Sequence, residues 1–192
     1  MTESKWDENV ILVDADYLDG VAFDLIVNFE RMINRRIPPA DLCHWLDCIA
    51  LDGGLRPGDN AVQAVFLHDR TRSKFTNFRP SDFSAELDGK AFKDNLGEFS
   101  LLSFPVEEVV SRADFFLQSL ENVLASAEVK RVMVIADLES YGDRVKRLAA
   151  QSEGKDITLF AMQPVTGRGF SQEILGYSLM SALGIRGEEI QQ

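Results

Sequence analysis

The sequence predicts an α/β protein, a three-layer α/β/α arrangement around a mostly parallel five-stranded sheet. Three observations lead there. Five short runs are apolar almost without interruption, the pattern of strands covered on both faces. Segments with apolar residues at helical spacing fill the intervals between them. Strands alternating with helices pair in parallel and carry helices on both faces of the sheet. At 192 residues, 45% of them hydrophobic, the chain suits one domain with a full core rather than a disordered polymer.

The first strand is "NVILVD", 9–14. A helix over 21–35 follows, with Leu25, Ile26, Phe29, Met32 and Ile33 on one face. Pro38-Pro39 breaks it from a second helix, 40–51, whose buried stripe is Leu42, Trp45, Leu46 and Ile49. "QAVFLH" (63–68) and "FSLLSF" (99–104) are the second and third strands. Between them lies 69–97, a long inserted loop, and loops of that length are often functional. The helix 107–126 carries Val109, Val110, Phe116, Leu120 and Val123. "RVMVIA" (131–136) is the fourth strand, 141–151 a helix with Val145, Leu148 and Ala149, and "DITLFA" (156–161) the fifth strand. Residues 163–192 read as a C-terminal helical extension, with a helix over 171–183 after the glycine-flanked "TGRGF". The whole chain, 1–192, reads as a single domain.

Composition narrows the function classes. Twenty basic against 31 acidic residues give a net charge of −11, which repels nucleic acid globally and confines any such contact to a local basic patch. No apolar run reaches membrane-spanning length, and "MTESKWDENV" has no signal-peptide core. Cys43 and Cys48 form neither a CxxC pair nor a disulfide framework, so they read as reduced packing residues of a cytoplasmic protein. His44 and His68 lack partners at metal-ligand spacing, which disfavours zinc.

The acids at the strand ends carry the functional signal. "ILVDADYLDG" runs a buried strand into Asp14, Asp16 and Asp19, and "VMVIADLESYGD" ends the fourth strand at Asp137 with Glu139 two residues on. In an open parallel sheet, ligands bind outside the carboxyl ends of the strands. If the first and fourth strands are neighbours, Asp14, Asp16, Asp137 and Glu139 converge there, with Asp114 of "SRADFF" nearby. Clustered carboxylates repel one another unless a cation sits among them. Hard, oxygen-preferring Mg²⁺ or Mn²⁺ suits such a set and can activate water against a phosphodiester. The structural alternative is that each Asp caps its own helix or turn. Asp19, before Gly20 and a helix, reads as such a cap. Asp143 and Glu121 read as solvated helix charges, and Asp59, Asp69 and Asp82 as loop residues.

The order strand–Asp, helices, strand, loop, strand, "RADFFLQSL", strand–Asp–x–acid resembles the NYN branch of the PIN-like ribonucleases, over about residues 9 to 162. The resemblance implies a PIN-like, Rossmann-like sheet and Mg²⁺- or Mn²⁺-dependent cleavage of single-stranded RNA. Asp14, Asp114 and Asp137 would hold the cation, with Glu139 orienting water or a second ion; Asp16, outside the family's pattern, is a further candidate ligand standing in for the polar partner missing at Tyr17. The chain departs from the family where Tyr17 replaces the usual Asn, Ile135-Ala136 the Ser-Gly, Glu139 the second Asp, and Ser111-Arg112 the Lys-Gly. These departures define the alternative, an eroded NYN-like module that binds RNA or protein without catalysis, alone or as a homo-oligomer.

For RNA, the loop segment "RTRSKFTNFRPSDF" supplies Arg70, Arg72, Lys74 and Arg79 among Phe75, Phe78 and Phe83. Basic groups track phosphates and aromatic faces stack bases; the competing reading has the phenylalanines covering the sheet edge. Lys146, Arg147 and Arg168 are weaker phosphate candidates. A third reading also begins at Asp14-Ala15-Asp16. Haloacid-dehalogenase-like phosphatases use such a pair as nucleophile and acid/base, but Asp137, Glu139, Asp143 and Lys130 miss that family's spacing and order.

Overall fold

A computed structural model of the chain describes residues 6–190. The elements run β1 (Asn9–Asp14), α1 (Ala15–Ile33), β2 (Ala40–Asp41), α2 (Leu42–Asp52), β3 (Asn60–His68), β4 (Phe78–Arg79), a short π-helix (Phe83–Leu87), β5 (Lys90–Asp94) and β6 (Gly97–Pro105). They continue through α3 (Arg112–Ala125), β7 (Arg131–Ile135), α4 (Leu138–Gln151), β8 (Asp156–Ala161), β9 (Ser171–Ile174), α5 (Leu175–Ala182) and α6 (Gly187–Ile190).

The main sheet has seven strands in the order β5-β6-β3-β1-β7-β8-β9, not five. Every neighbouring pair in it is parallel except β5 against β6. The five expected strands are its five inner ones. The two additions are edges, and both are polar: "KAFKD" from the segment expected as loop, and "SQEI" from the segment expected as helix. An edge strand presents one side to water and is kept from aggregating by charged residues, so neither shows the apolar run that marks an inner strand.

Alternation within each strand feeds two cores. Ile11 and Val13 join a cluster with α1, α2 and α5, while Val10 and Leu12 join another with α3 and α4. Both faces of β1 are therefore covered and all six of its residues are buried. In the first cluster Trp45 Nε1 donates to Ser178 Oγ at 3.1 Å, tying α2 to α5. The segment 69–97 is not irregular throughout: β4 pairs with β2, the π-helix packs Phe83 and Leu87 inward, and β5 closes the sheet. Among the described residues no helix is long and apolar enough to cross a membrane.

From β1 the chain builds outward through β3 to β6, then returns to β7 on the other side of β1. The reversal makes the crevice between β1 and β7 the topological switch point, where open α/β sheets place ligands. Val13 stands beside Ile135 in the register, so Asp14 and Asp137 emerge at the same rim.

Gly97 opens β6 at φ 140°, and a Cβ there would lie 2.1 Å from the carbonyl oxygen of Asn60. Gly20, inside α1, has open space around it. Gly97→Ala is expected to lower unfolding free energy by roughly 2–3 kcal/mol, and Gly20→Ala to raise it by about 0.5–1 kcal/mol. Urea denaturation of the two variants checks both signs.

Candidate functional site at the carboxyl rim of the sheet

Asp14 is the N-cap of α1, and its Oδ1 accepts from the Tyr17 N–H at 3.2 Å. Its other oxygen, Oδ2, accepts from the Tyr141 hydroxyl at 2.6 Å. The Arg112 Nε lies 3.5 Å from that same oxygen. The side chain is 1% exposed. Burial raises its carboxyl above the ordinary 3.8, and the Tyr141 hydroxyl, Arg112 and the Tyr17 N–H oppose the rise. Tyr141 reaches Asp14 from α4, which departs from helical geometry at that residue (φ −133°, ψ 25°). Burial and the Asp14 carboxylate hold the Tyr141 phenol well above its usual range, so it serves as a fixed donor rather than as a base.

Asp16 turns toward the end of β3. Its Oδ2 accepts from the Asp69 N–H at 2.6 Å and lies 4.0 Å from Arg112 Nη1. Its Oδ1 is buried without a hydrogen-bond donor, 3.6 Å from Arg72 Nε. Asp19 is not a cap. It lies inside α1, buried, and gathers the loop 72–77: its carboxylate accepts from the Arg72 guanidinium, the Thr76 N–H, and both the N–H and the side-chain amide of Asn77. The three acids Asp14, Asp16 and Asp19 thus tie several parts of the chain together, Arg112 being shared by the first two and Arg72 by the last two.

Asp137 caps α4, accepting from the Ser140 N–H at 3.2 Å. Glu139, in the first turn of α4, lines a cavity of about 180 Å³ with Tyr17, Leu138 and residues 161–165 beyond β8. The Tyr17 phenol is pushed up to about 12, first by burial and then by the charges of Asp137, Glu139 and Asp14. A protonated phenol therefore lies among the acids expected to surround a cation.

Asp114 does not join them. Its carboxylate is half-exposed and binds Arg144 Nη2 at 2.9 Å across α3 and α4, and that contact lowers its pKa. The expected ligand set Asp14, Asp114 and Asp137 is not assembled. Among the described residues no three His, Cys, Asp or Glu side chains are placed to hold a metal ion. The residues present do not fit Mg²⁺ or Mn²⁺: hydroxyl and amide donors and a guanidinium already occupy the inward oxygens of Asp14. Its burial also leaves no open line of attack for a phosphatase nucleophile.

The expected RNA-stacking loop is corrected as well. Phe75 and Phe78 are fully buried, packed edge-on or tilted against Phe66, Trp45, Phe83 and one another. They close the first core and offer no face to a base. Arg72 is committed to Asp16 and Asp19. Arg79 donates to the carbonyls of Phe78 and Thr76, and Arg70 makes an exposed contact with Glu108. Lys74 is exposed beside its bridge to Asp82.

A family model described as a family of unknown function, DUF6621, matches residues 3–190. The chain belongs to that family. No curated protein and no solved structure matches it significantly. In this DUF6621 chain the residues that sequence reasoning missed are Arg112, Tyr141 and Asn77. None of the three left a readable signal: the helix expected over 107–126 puts Arg112 in its interior and not at the start of α3, and the partners of Tyr141 and Asn77 are 127 and 58 residues away in sequence.

Two predictions follow from these contacts. Tyr141→Phe strips the donor from a buried carboxylate and is expected to cost about 1–3 kcal/mol at neutral pH. The sign with pH comes from Asp14. Its folded-state pKa is raised, so its contribution is fullest below 3.8 and fades as pH rises through the folded value. Removing the Tyr141 hydroxyl raises that value further, so the cost of the substitution shrinks below about pH 4. Denaturation of both proteins across that range measures it. Asp19→Ala is expected to cost roughly 2–4 kcal/mol, with hydrogen exchange quickening at Thr76 and Asn77 well before the amides of β3.

Proposed function

We propose that this chain is a divergent module of the NYN/PIN-like kind that binds a partner without catalysis, its carboxylate rim converted from a metal centre into an internal junction. The observation that carries the reading is Arg112, whose guanidinium stands against Asp14 and Asp16 at the switch point, where a nuclease of that kind would need a cation. The inner strand order, third-second-first-fourth-fifth, with two helices between the first pair, supports the kinship. The net charge of −11, the buried phenylalanines and the committed Arg72 favour a protein partner with basic side chains over RNA.

A second reading keeps the nuclease: Asp14, Asp16, Asp137 and Glu139 all stand near the switch point, and a metal-dependent cut of single-stranded RNA would use them. Incubating the protein with a labelled single-stranded RNA oligonucleotide and Mg²⁺ or Mn²⁺ separates the two. The binding-module reading expects intact, unretarded RNA at moderate salt. Cleavage that disappears in Asp14→Asn and Asp137→Asn would establish the nuclease, and retardation without cleavage would make RNA the partner.

A further inference from the structure

We propose that the carboxyl groups of Asp47, on α2, and Asp94, at the end of β5, share one proton, and that this bond latches the antiparallel edge of the sheet to α2 until rising pH removes it. Asp94 stands opposite Gly97, where β6 begins, so the latch lies at the amino end of the parallel strands. It is remote from the carboxylate rim and independent of the binding-module reading.

Asp94 is fixed by its own turn. Its Oδ1 accepts from the Leu96 N–H at 2.9 Å, closing the connection from β5 into β6. The Gly58 N–H donates to the Asn95 carbonyl at 3.0 Å. The Asn60 side-chain amide donates to the carbonyls of Arg56 and Leu96, both at 2.7 Å. The turn is thereby stitched to the segment that follows α2, and it cannot carry Asp94 away from the helix without breaking these bonds.

Asp47 is half-buried on α2. Its Oδ1 is sealed from solvent, and among the described residues no N–H or O–H group donates to it. The group that its side chain meets by hydrogen bond is the Asp94 carboxyl. Two ionised carboxylates offer acceptors only, so the bond exists only while one of them carries a proton. The surroundings supply no cation. Asp41, Cys43 and Cys48 face Asp47 from α2 and Asp94 faces it from β5. Among the described residues no ion pair includes Asp47 or Asp94. Like charges at this separation disfavour joint ionisation.

Burial, then the bond to Asp94 and its charge, then the charge of Asp41, raise the Asp47 carboxyl from 3.8 to about 7. A raised folded-state value sets the sign. The stabilisation is complete below 3.8 and is lost as pH rises through about 7. Ionisation then leaves two negative groups face to face, one with a sealed oxygen. The five-residue edge strand β5, paired with β6 alone, is the part that yields.

Carbon-13 NMR of the side-chain carboxyls tests the pair directly. In wild type the Asp47 carboxyl is expected to titrate with a midpoint of about 7. Asp94→Asn replaces the like charge with an amide donor, and the Asp47 midpoint is expected to fall by about 1 unit or more. Asp47→Asn keeps a donor at every pH. Between about pH 5.5 and 8.5 the melting temperature of wild type should fall by about 2 °C or more relative to that variant. Amide exchange at Leu96 and Gly58, corrected for its intrinsic pH dependence, should quicken over the same range in wild type and stay level in Asp47→Asn. A wild-type midpoint below about 6 overturns the shared proton and needs no variant to fold. A raised midpoint that fails to fall in Asp94→Asn overturns it too, since burial alone would then hold the proton. Level exchange at Leu96 and Gly58 in wild type overturns the latch.

Discussion

Carboxylates cannot be buried alone. That constraint governs the crevice at the end of β1, where three of them occur within six residues of sequence. Each must find donors or a cation, and they do so with two shared arginines, Arg112 between Asp14 and Asp16 and Arg72 between Asp16 and Asp19. Asp14 takes a tyrosine from α4 and an arginine from α3, Asp16 takes the backbone at the end of β3, and Asp19 takes the loop that leads to β4. The first turn of α1 thereby becomes the junction through which both layers of helices and the long β3–β6 connection are registered on the sheet. Loss of one partner leaves a charged group without compensation, which is the costly direction for any buried ion pair.

The same chemistry decides what the site can do. An acidic rim at a switch point can recruit a divalent ion or be neutralised from within, and the two outcomes compete for the same oxygens. Here the internal solution has the better geometry: a hydroxyl at 2.6 Å on Asp14, an amide at 2.6 Å on Asp16, and a guanidinium between the two acids. Tyr17, its phenol pushed up to about 12, stands as a neutral body among Asp14, Asp137 and Glu139.

What could be read from the sequence follows from which signals are local. The inner strands were legible because burial on both faces writes continuous apolar runs, whereas the pairing of β1 with β7 was only a condition of the sequence reading and is supplied by the register. The edges β5 and β9 were not legible, since "KAFKD" and "SQEI" look like surface loop or helix. The start of α1 was placed six residues late because Asp14, Asp16 and Asp19 disguise its first turn as a loop. At the site, Asp14 and Asp137 were found from position alone, but their partners were not. Asp114 looks identical in sequence whether it faces the rim or Arg144, and only the packing of α3 on α4 decides. Phe75 and Phe78 show the same ambiguity: aromatics among arginines suggest stacking on bases, yet tertiary burial claims them for the core.

The most direct measurement is a crystal grown with Mn²⁺ and examined for anomalous scattering at the rim. The account predicts no manganese peak near Asp14, Asp16 or Asp137, with the Arg112 guanidinium between the first two and the Tyr141 hydroxyl on Asp14. A manganese ion bound by Asp14 and Asp137, with Arg112 displaced into solvent, would contradict it.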